Sequence, residues 1–500
     1  MADIKKIGML GVGSMGAMMS LLFAEHGYEV HFFDPSEKNM DQLDQQKHDI
    51  RLDEKVRREK SYEDVCKAIQ DKDQPKLFVF STPHGKPADQ CVEGILPYLN
   101  KGDLIVDCGN EHWTNTERRQ KMLDPKGIHY VGCGVSGGYQ SARHGPSMSP
   151  GGSPEALKQA MPFLKKVAAK DAKGVSCTNP VGPGGAGHYV KMVHNGIEQG
   201  MMSAIAEVWL MLTKSLGFKD DEVADLFKSW NESGPLQNCF LVAIGVDIEK
   251  AKENGKHVLS EVRDKVTQDV TEEEGTGTWT CEQAVELHVP AASILSAHLF
   301  RCASADLAKR IKNKKSASGG FEAQPWSGVD KKEFAELLHQ TTYFCFLACF
   351  NQGMDVIRKK DKKEGWNLDY RKIMQLWRGG CIIQADHITN LLDGMYARED
   401  HDPDDIFGNP EIGHELSTLY PAVKKIVLKA IETDTFVPSI SQALEYFKYQ
   451  TSTELPTQFM EAQLDYFGQH MYDKKSDPVG GPEKGKHHYE WNPAKGISGK

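Results

Sequence analysis

Short apolar segments alternate with helical segments in the first part of the chain. The apolar segments, each of which predicts a buried β-strand, are residues 4–10, 29–33, 77–81, 104–107 and 129–133. Helical patterns, such as those of residues 17–26 and 87–99, lie between them. Strands that alternate with helices are typical of a mostly parallel sheet covered by helices. The first part of the chain is therefore predicted to be an α/β domain.

A glycine-rich turn follows the first predicted strand. It has the pattern G-x-G-x-x-G, directly before a helix, and consists of Gly11, Val12, Gly13, Ser14, Met15 and Gly16. Such a turn lets a pyrophosphate approach the backbone at the helix N-terminus, where the N–H groups lack intrahelical partners. Asp34 ends the next strand, and an acidic residue at about this spacing typically binds the adenosine ribose. We predict a Rossmann-type dinucleotide site, to which Ser81 and Asn110 contribute from the ends of later strands.

Asp34 also bears on which cofactor binds. A carboxylate here would repel the 2′-phosphate of NADP, and neither Pro35 nor Ser36 supplies a guanidinium to bind it. The residues therefore favour NAD. Lys38 is close enough in sequence to support NADP instead, so NAD and NADP both remain open.

Longer helical patterns fill the second part of the chain. Glycines at residues 182–187 precede a long, mostly apolar helix that extends to residue 212, and further helices are predicted at residues 222–241, 291–311, 331–358, 370–392 and 422–447. The last residues are rich in Lys, Gly, Pro and His, which is typical of an arm rather than a core element. We predict a Rossmann-type domain at residues 1–184, a large all-α domain at 185–452 and a C-terminal arm at 453–500.

Four polar residues interrupt the long apolar helix. At about 100° per residue, Lys191 and Glu198 lie within roughly 20° of one another, and His194 and Asn195 flank them. Burying an unpaired ammonium costs free energy, so the position of Lys191 in an apolar helix calls for an explanation. One hypothesis is a buried Lys–Glu pair that fixes helix packing. The other is catalysis, in which a desolvated, neutral Lys191 is the general base and Glu198 the general acid. The spacing of these four polar residues alone leaves both hypotheses open.

Composition excludes several partners. The net charge of −10 argues against nucleic acid, which is usually bound by a basic patch. The 11 cysteines are scattered without a C-x-x-C pair, and the N-terminus shows no secretory signal, which predicts a reducing, cytoplasmic setting. No apolar run reaches membrane-spanning length, so no membrane partner is expected.

Several sequence blocks, taken together, resemble the 6-phosphogluconate dehydrogenase family within the wider β-hydroxyacid dehydrogenase group. The wider group is marked by the turn at residues 11–16 and by Gly185, Gly187, Lys191 and Asn195 in the pattern G-x-G-x-x-x-K-x-x-x-N. The narrower family is indicated by blocks at residues 135–143, 187–198, 275–280, 377–383 and 465–470. The blocks occur in family order through nearly the whole chain.

The resemblance implies an NAD(P)-dependent oxidative decarboxylation of 6-phosphogluconate to ribulose 5-phosphate and CO2. It implies that Lys191 takes the proton of the C3 hydroxyl and that Glu198 protonates the enediol left after CO2 departs. No metal is needed in this chemistry because the lysine supplies the electrophile. The residues implied to bind the sugar acid are Asn110, Ser136, Gly137, Gly138, His194, Asn195, Arg301 and His470. The family also implies a homodimer whose C-terminal arms, with His470, reach into the partner's site.

Three positions depart from the family pattern. A tyrosine, a lysine and an arginine of the family's phosphate pocket are Gln199, Thr278 and Leu464 here, whereas Arg301 and His470 remain. Each lost charge-assisted hydrogen bond is worth roughly 1.5 to 3 kcal/mol. The alternative substrate is therefore a related aldonate without the 6-phosphate. A non-catalytic nucleotide-binding relative and a simple β-hydroxyacid oxidation without decarboxylation also remain open.

Overall fold

A computed structural model of the chain describes residues 4–71, 74–269, 275–398, 405–480 and 485–492. These residues divide into two compact units, Met1–Tyr446 and Phe447–Lys500, which are described in turn. The predicted domain boundaries at residues 184 and 452 stay predictions.

The first unit begins with a seven-stranded sheet. Its strands are β1 (Lys6–Leu10), β2 (Glu29–Phe33), β3 (Val56–Arg58), β4 (Leu77–Phe80), β5 (Leu104–Asp107), β6 (His129–Ser136) and β7 (Ser147–Gly151). The strand order is β3-β2-β1-β4-β5-β6-β7, and every pair is parallel except β6 with β7. This confirms the predicted α/β fold. Neither β3 nor β7 was predicted, because the short edge strand β3 is mostly charged and β7 lacks an apolar run.

Helices cover both faces of the sheet. They are α1 (Ser14–Glu25), α2 (Glu37–Asp49), α3 (Tyr62–Ala68), α4 (Lys86–Ile95), α5 (Trp113–Leu123), α6 (Gly138–His144) and α7 (Pro154–Val167). Successive residues of a strand point to opposite faces. In β4, Leu77 and Val79 accordingly belong to one apolar cluster, whereas Phe78 and Phe80 belong to another. The strands are therefore buried on both sides, as their uninterrupted apolar sequences require.

The rest of the first unit is helical. The helices are α8 (Ala186–Leu210), α9 (Asp220–Glu232), α10 (Phe240–Lys250), α11 (Thr276–Glu286), α12 (Ala292–Ala305), α13 (Leu307–Ser316), α14 (Lys331–Glu364), α15 (Tyr370–Leu376), α16 (Asp386–Tyr396), α17 (Pro410–Glu432) and α18 (Pro438–Thr451), whose last residues belong to the second unit. A hairpin of β8 (Lys252–Glu253) and β9 (Lys256–His257) is the one sheet found among the described residues of this region.

Four predicted helices were wrong in extent, because each is two helices. Residues 222–241 divide at the turn Gly234–Leu236, which contains a proline. Residues 291–311 divide where Asp306 caps α13. Residues 370–392 divide at a loop with glycines at 379 and 380, and residues 422–447 divide before Pro438. Residues 377–385, between α15 and α16, continue the apolar pattern of the helices, so that pattern did not show this break.

The second unit contains α19 (Thr457–Gly468), which is followed by an irregular segment. Its residue 472 forms an isolated antiparallel bridge with residue 487, so the end of the chain folds back on the segment that follows α19. Across the described parts of both units, no helix is long and apolar enough to cross a membrane.

Candidate active site

The glycine-rich turn between β1 and α1 is shaped by close backbone contacts. Gly11 has φ +90°, and a Cβ there would lie 2.4 Å from the carbonyl oxygen of Ser81. A Cβ on Gly16 would lie 2.1 Å from the carbonyl oxygen of Gly11. Gly13 differs, because the nearest atom to its Cβ position, on Asn39, is 4.0 Å away. Two glycines therefore permit the turn and the third leaves the backbone open, an arrangement that fits a pyrophosphate at the start of α1.

Asp34 lies beside this turn at the end of β2. Its buried carboxylate accepts hydrogen bonds from the backbone N–H of Val12 at 2.8 Å, from that of Ser36 at 2.8 Å, and from Asn39 Nδ2 at 3.3 Å. These bonds fix the acidic group next to the glycine turn, as predicted for a ribose-binding residue. The geometry fits an adenine dinucleotide.

Helix α8 rests on the sheet through glycines. A Cβ on Gly134 in β6 would lie 2.1 Å from Cβ of Lys191. A Cβ on Gly187 would lie 2.4 Å from the carbonyl oxygens of both Gly132 and Ser149. The helix and the strands therefore meet backbone to backbone at Gly187, and Gly134 leaves room for the first side-chain atoms of Lys191. This contact places Lys191 close to the carboxyl end of β6, where the loop of residues 136–138 begins.

Lys191 is buried, with 6% of its surface exposed. Its Nζ donates a hydrogen bond to Asn195 Oδ1, one turn further along α8. Asn195 Nδ2 in turn donates to Thr276 Oγ1 at 2.8 Å, at the start of α11. The amide of Asn195 therefore connects the side-chain nitrogen of Lys191 to a second helix and sets its direction.

His194 contacts three other polar side chains of the site. Its Nδ1 lies 3.1 Å from Asn195 Oδ1 and 3.7 Å from Glu198 Oε2, and its Nε2 lies 2.9 Å from Ser136 Oγ. Because an amide oxygen only accepts, Nδ1 carries the proton and Nε2 accepts from the Ser136 hydroxyl. Burial and the positive charge of Lys191 lower the pKa of His194 well below its usual value, so this ring is neutral.

A cavity of about 330 Å³ opens at this position. The residues that line it are Met15, His84, Asn110, Val135, Ser136, Gly137, Gly138, Lys191, Asn195, Glu198, Gln199, Gln268, Gly275, Thr276, Arg301 and Ile382. The cavity thus brings together most residues predicted to bind substrate, with the predicted acid and base. His470 belongs to the second unit, and its part in a site stays a prediction. His84 and Gln268 were not predicted. The position of His84, directly after residues 81–83 at the end of a strand, could have indicated it. No feature of the sequence pointed to Gln268.

Two of the altered positions meet at His298, beside Gln199 in the lining of this cavity. His298 on α12 lies with Nδ1 3.2 Å from Gln199 Oε1 and with Nε2 3.4 Å from Thr278 Oγ1. Arg301, one turn further along α12, donates to Gln268 Oε1 at 3.3 Å. The sequence did not single out His298. Its imidazole joins an amide and a hydroxyl at the two places where the family has a phenol and an ammonium.

No group of three or more His, Cys, Asp or Glu side chains within the described ranges could hold a metal ion. The residues described here therefore assign no metal site.

Known proteins match this chain along nearly its whole length. A family model described as the C-terminal domain of 6-phosphogluconate dehydrogenase matches residues 187–491, and one described as the NAD binding domain of that enzyme matches residues 6–182. The decarboxylating 6-phosphogluconate dehydrogenase of Emericella nidulans is 40% identical, over 96% of this chain and 100% of the relative. The decarboxylating 6-phosphogluconate dehydrogenase 1 of Oryza sativa is 33% identical, over 98% of each chain.

A solved structure is also similar. The 6-phosphogluconate dehydrogenase of Plasmodium falciparum, determined as the apo form and in complex with NADP+ and with 6-phosphogluconate, superposes with a TM-score of 0.85. It is 29% identical in sequence, and the match covers 97% of this chain and 100% of that one.

Proposed function

Because this chain belongs to the 6-phosphogluconate dehydrogenase family and is thereby an oxidoreductase acting on a CH–OH group, we propose that it converts 6-phosphogluconate to ribulose 5-phosphate and CO2 with NAD(P). The observation that carries the proposal is the buried Lys191, held by Asn195 in a cavity that Glu198 also lines. A structural Lys–Glu pair would not need a cavity of ligand size beside it.

Lys191 acts first as a base and then as an acid in this proposal. It takes the proton of the substrate C3 hydroxyl, while the nicotinamide, when bound, supplies the two-electron oxidation of C3. The resulting ammonium donates a hydrogen bond to the new C3 carbonyl oxygen. The C1–C2 bond then breaks, CO2 leaves, and the electron pair passes to the C3 oxygen, which takes the proton of the Lys191 ammonium to give an enediol and the neutral amine.

Glu198 delivers a proton to C2 of the enediol while the Lys191 amine takes the proton of the C3 hydroxyl, which gives the ketose. Asn195 and the pair of Ser136 with the neutral His194 donate and accept hydrogen bonds at the sugar hydroxyls. Asn110 and the backbone N–H groups of residues 136–138 hold the substrate carboxylate. Arg301 binds the far end of the substrate, and His470 does so from the arm of a partner subunit.

The glycine turn and Asp34 hold the dinucleotide. We favour NAD, because the Asp34 carboxylate is fixed by three hydrogen bonds and would repel a 2′-phosphate. The Plasmodium falciparum relative was determined with NADP+, which makes a direct comparison of the two cofactors necessary. A ratio of kcat/KM for NAD over NADP above one supports this preference, and a ratio below one contradicts it.

A second candidate substrate is an aldonate without the 6-phosphate. It is favoured by the chain of Gln199, His298 and Thr278, whose amide, imidazole and hydroxyl suit a hydroxyl group at least as well as a dianion. Among the described residues that line the cavity, the lysine and arginine side chains are those of Lys191 and Arg301. Lys191 acts on the reacting end of the substrate. A phosphate would therefore have one guanidinium from this set.

We also propose that the protein is a homodimer with exchanged C-terminal arms. We propose that it is located in the cytoplasm. Large apolar side chains are exposed in both units. Leu299 and Phe300 on α12 and Ile431 on α17 are examples in the first, and Phe459 and Phe467 on α19 in the second. We take these exposed side chains as candidates for the association surface. All 11 cysteines are free thiols, which supports a reducing compartment. Sedimentation velocity of the whole chain tests the dimer, and a monomer at micromolar concentration contradicts it.

One assay decides among the functional hypotheses. Initial rates are measured with 6-phosphogluconate and with gluconate, each with NAD and NADP, together with CO2 release. Cofactor reduction with stoichiometric CO2 supports the proposal, and reduction without CO2 indicates simple oxidation. No turnover, with nucleotide binding retained in calorimetry, indicates a non-catalytic relative.

A matched pair of lysine variants tests the assignment of the base. Lys191→Met should abolish turnover because no other group replaces the amine. Lys214→Met removes an exposed ammonium just beyond the C-terminus of α8 and should leave turnover unchanged. Equal activity of the two variants contradicts the assignment.

A further inference from the structure

The second unit is organised around one buried carboxylate. Asp465 lies near the end of α19, with none of its side chain exposed. Its Oδ1 accepts hydrogen bonds from the Met471 backbone N–H at 3.1 Å and from His488 Nδ1 at 2.9 Å. Its Oδ2 accepts from the Tyr489 backbone N–H at 3.1 Å and from Trp491 Nε1 at 2.8 Å. Three of its partners are more than 20 residues away in sequence, so the carboxylate ties residues 488–491 to the helix.

The C-terminal tail, residues 485–492, folds back along the segment after α19. The Tyr472 backbone N–H donates to the carbonyl of His487 at 2.7 Å, and the His487 N–H donates to the carbonyl of Tyr472 at 2.9 Å. A Cβ on Gly485 would lie 2.5 Å from the Tyr472 nitrogen, so this glycine permits the close approach. Burial alone would raise the pKa of Asp465, but the hydrogen bonds from His488, Trp491 and two backbone N–H groups hold that pKa below its usual range.

His470 lies inside the loop that Asp465 holds. The residues on either side of it, Gln469 and Met471, have φ values of +50° and +68°, in the left-handed region that residues with side chains rarely adopt. Such conformations persist when surrounding contacts enforce them. The contacts here are the bonds of the Gln469 N–H to the Asp465 carbonyl at 3.0 Å and of the Met471 N–H to the Asp465 carboxylate. The His470 ring rests against Gly468, where a Cβ would lie 2.4 Å from ring atoms.

We infer that Asp465 is a positioning residue: together with the tail it fixes the loop of residues 469–471 and so sets the direction of the His470 imidazole toward the far end of the sugar acid. The inference rests on the proposed function for the role of His470. It goes beyond that function in assigning the tail and Asp465 a part in substrate affinity.

A double-mutant cycle with Asp465→Ala and His470→Ala tests this role. Asp465→Ala should raise KM for the sugar acid about ten- to hundredfold, as expected for one lost charge-assisted hydrogen bond, and should leave kcat within about twofold. If Asp465 acts through His470, the double variant should have the KM of His470→Ala alone. Glu461→Ala is the matched control, because it removes an exposed carboxylate one turn earlier on the same helix. It should leave KM unchanged.

Amide hydrogen exchange keeps the test independent of activity. In Asp465→Ala, the N–H groups of Met471 and Tyr489 should lose protection, and in Glu461→Ala they should keep it. Multiplicative KM effects in the cycle overturn the inference, as does unchanged exchange in Asp465→Ala. If His470→Ala leaves KM unchanged while turnover is normal, the inference fails and the proposed reaction stands. If the unmodified protein shows no turnover, the proposed reaction fails, and hydrogen exchange still decides whether Asp465 fixes the loop.

Discussion

Replacing Gly134 with alanine should displace Lys191 and slow catalysis. The new Cβ would lie 2.1 Å from Cβ and 2.5 Å from Cγ of Lys191, whereas ordinary contacts begin at 3.4 Å. The difference of 3.4 minus 2.1 requires a shift of 1.3 Å. A new rotamer of Lys191 cannot move its Cβ, so the backbone of α8 or of β6 must move. A misplacement of about 1 Å at a reacting group costs on the order of a hundredfold in rate.

The assay is a comparison of kcat, the KM for the sugar acid and the Kd for the dinucleotide. We expect kcat of Gly134→Ala to fall about a hundredfold. The dinucleotide Kd should stay within a few-fold of the original, because the glycine turn before α1 is not touched. The fold should survive with a loss of roughly 1 to 3 kcal/mol, the usual cost of overpacking, which thermal unfolding followed by circular dichroism can verify.

Gly394→Ala is the matched control. Gly394 lies in α16, and no atom lies within 4 Å of its Cβ position, so the same change should have no effect on kcat. The reasoning is refuted if Gly134→Ala is folded and keeps kcat within twofold of the unmodified protein.

Changes at Gly11, Thr278 and Glu207 should each have a distinct effect. Gly11→Ala should weaken dinucleotide binding more than tenfold in fluorescence titration, since its Cβ would lie 2.4 Å from the Ser81 carbonyl at a positive φ; unchanged affinity contradicts this. Thr278→Lys should lower KM for 6-phosphogluconate about tenfold and leave KM for gluconate unchanged, because it adds an ammonium beside His298; equal effects on both substrates contradict it. Burial raises the pKa of Glu207 from 4.5 to about 7, so the native state binds a proton that the unfolded state has lost between these values. Stability should therefore fall by up to about 3 kcal/mol as pH rises from 4.5 to 7, and Glu207→Gln should flatten this dependence in melting experiments; a stability that rises over this range contradicts the assignment.

The sheet was predictable because its inner strands are apolar on both faces. The structure places β2 and β5 at the predicted residues 29–33 and 104–107. An edge strand has less apolar sequence to show, and β3, with the sequence Val-Arg-Arg, gave no such signal. Helix ends were the weaker prediction, since buried loops such as residues 377–385 are as apolar as the helices they separate.

The reacting end of the site was also predictable, whereas at the far end Arg301 and Gln199 were named from the sequence and His298 and Gln268 were not. Lys191, Asn195 and Glu198 fall on one face of a helix by periodicity alone, and the structure places all three in the cavity lining. His298 reaches its position because α12 packs beside α8, and Gln268 lies in a separate turn, residues 267–269, against Arg301 of α12. Their partners are distant in sequence, and no local pattern encodes that approach.

The two ends of the cavity differ in how freely they can evolve. Around Lys191, Gly134 and Gly187 leave no room for a Cβ between helix and strands, so an added atom at either position must move a backbone. At the other end, Gln199, His298 and Arg301 extend long side chains from separate turns, and one can be exchanged without moving a backbone. A lineage with this architecture can acquire new sugar acids while it inherits its reaction unchanged.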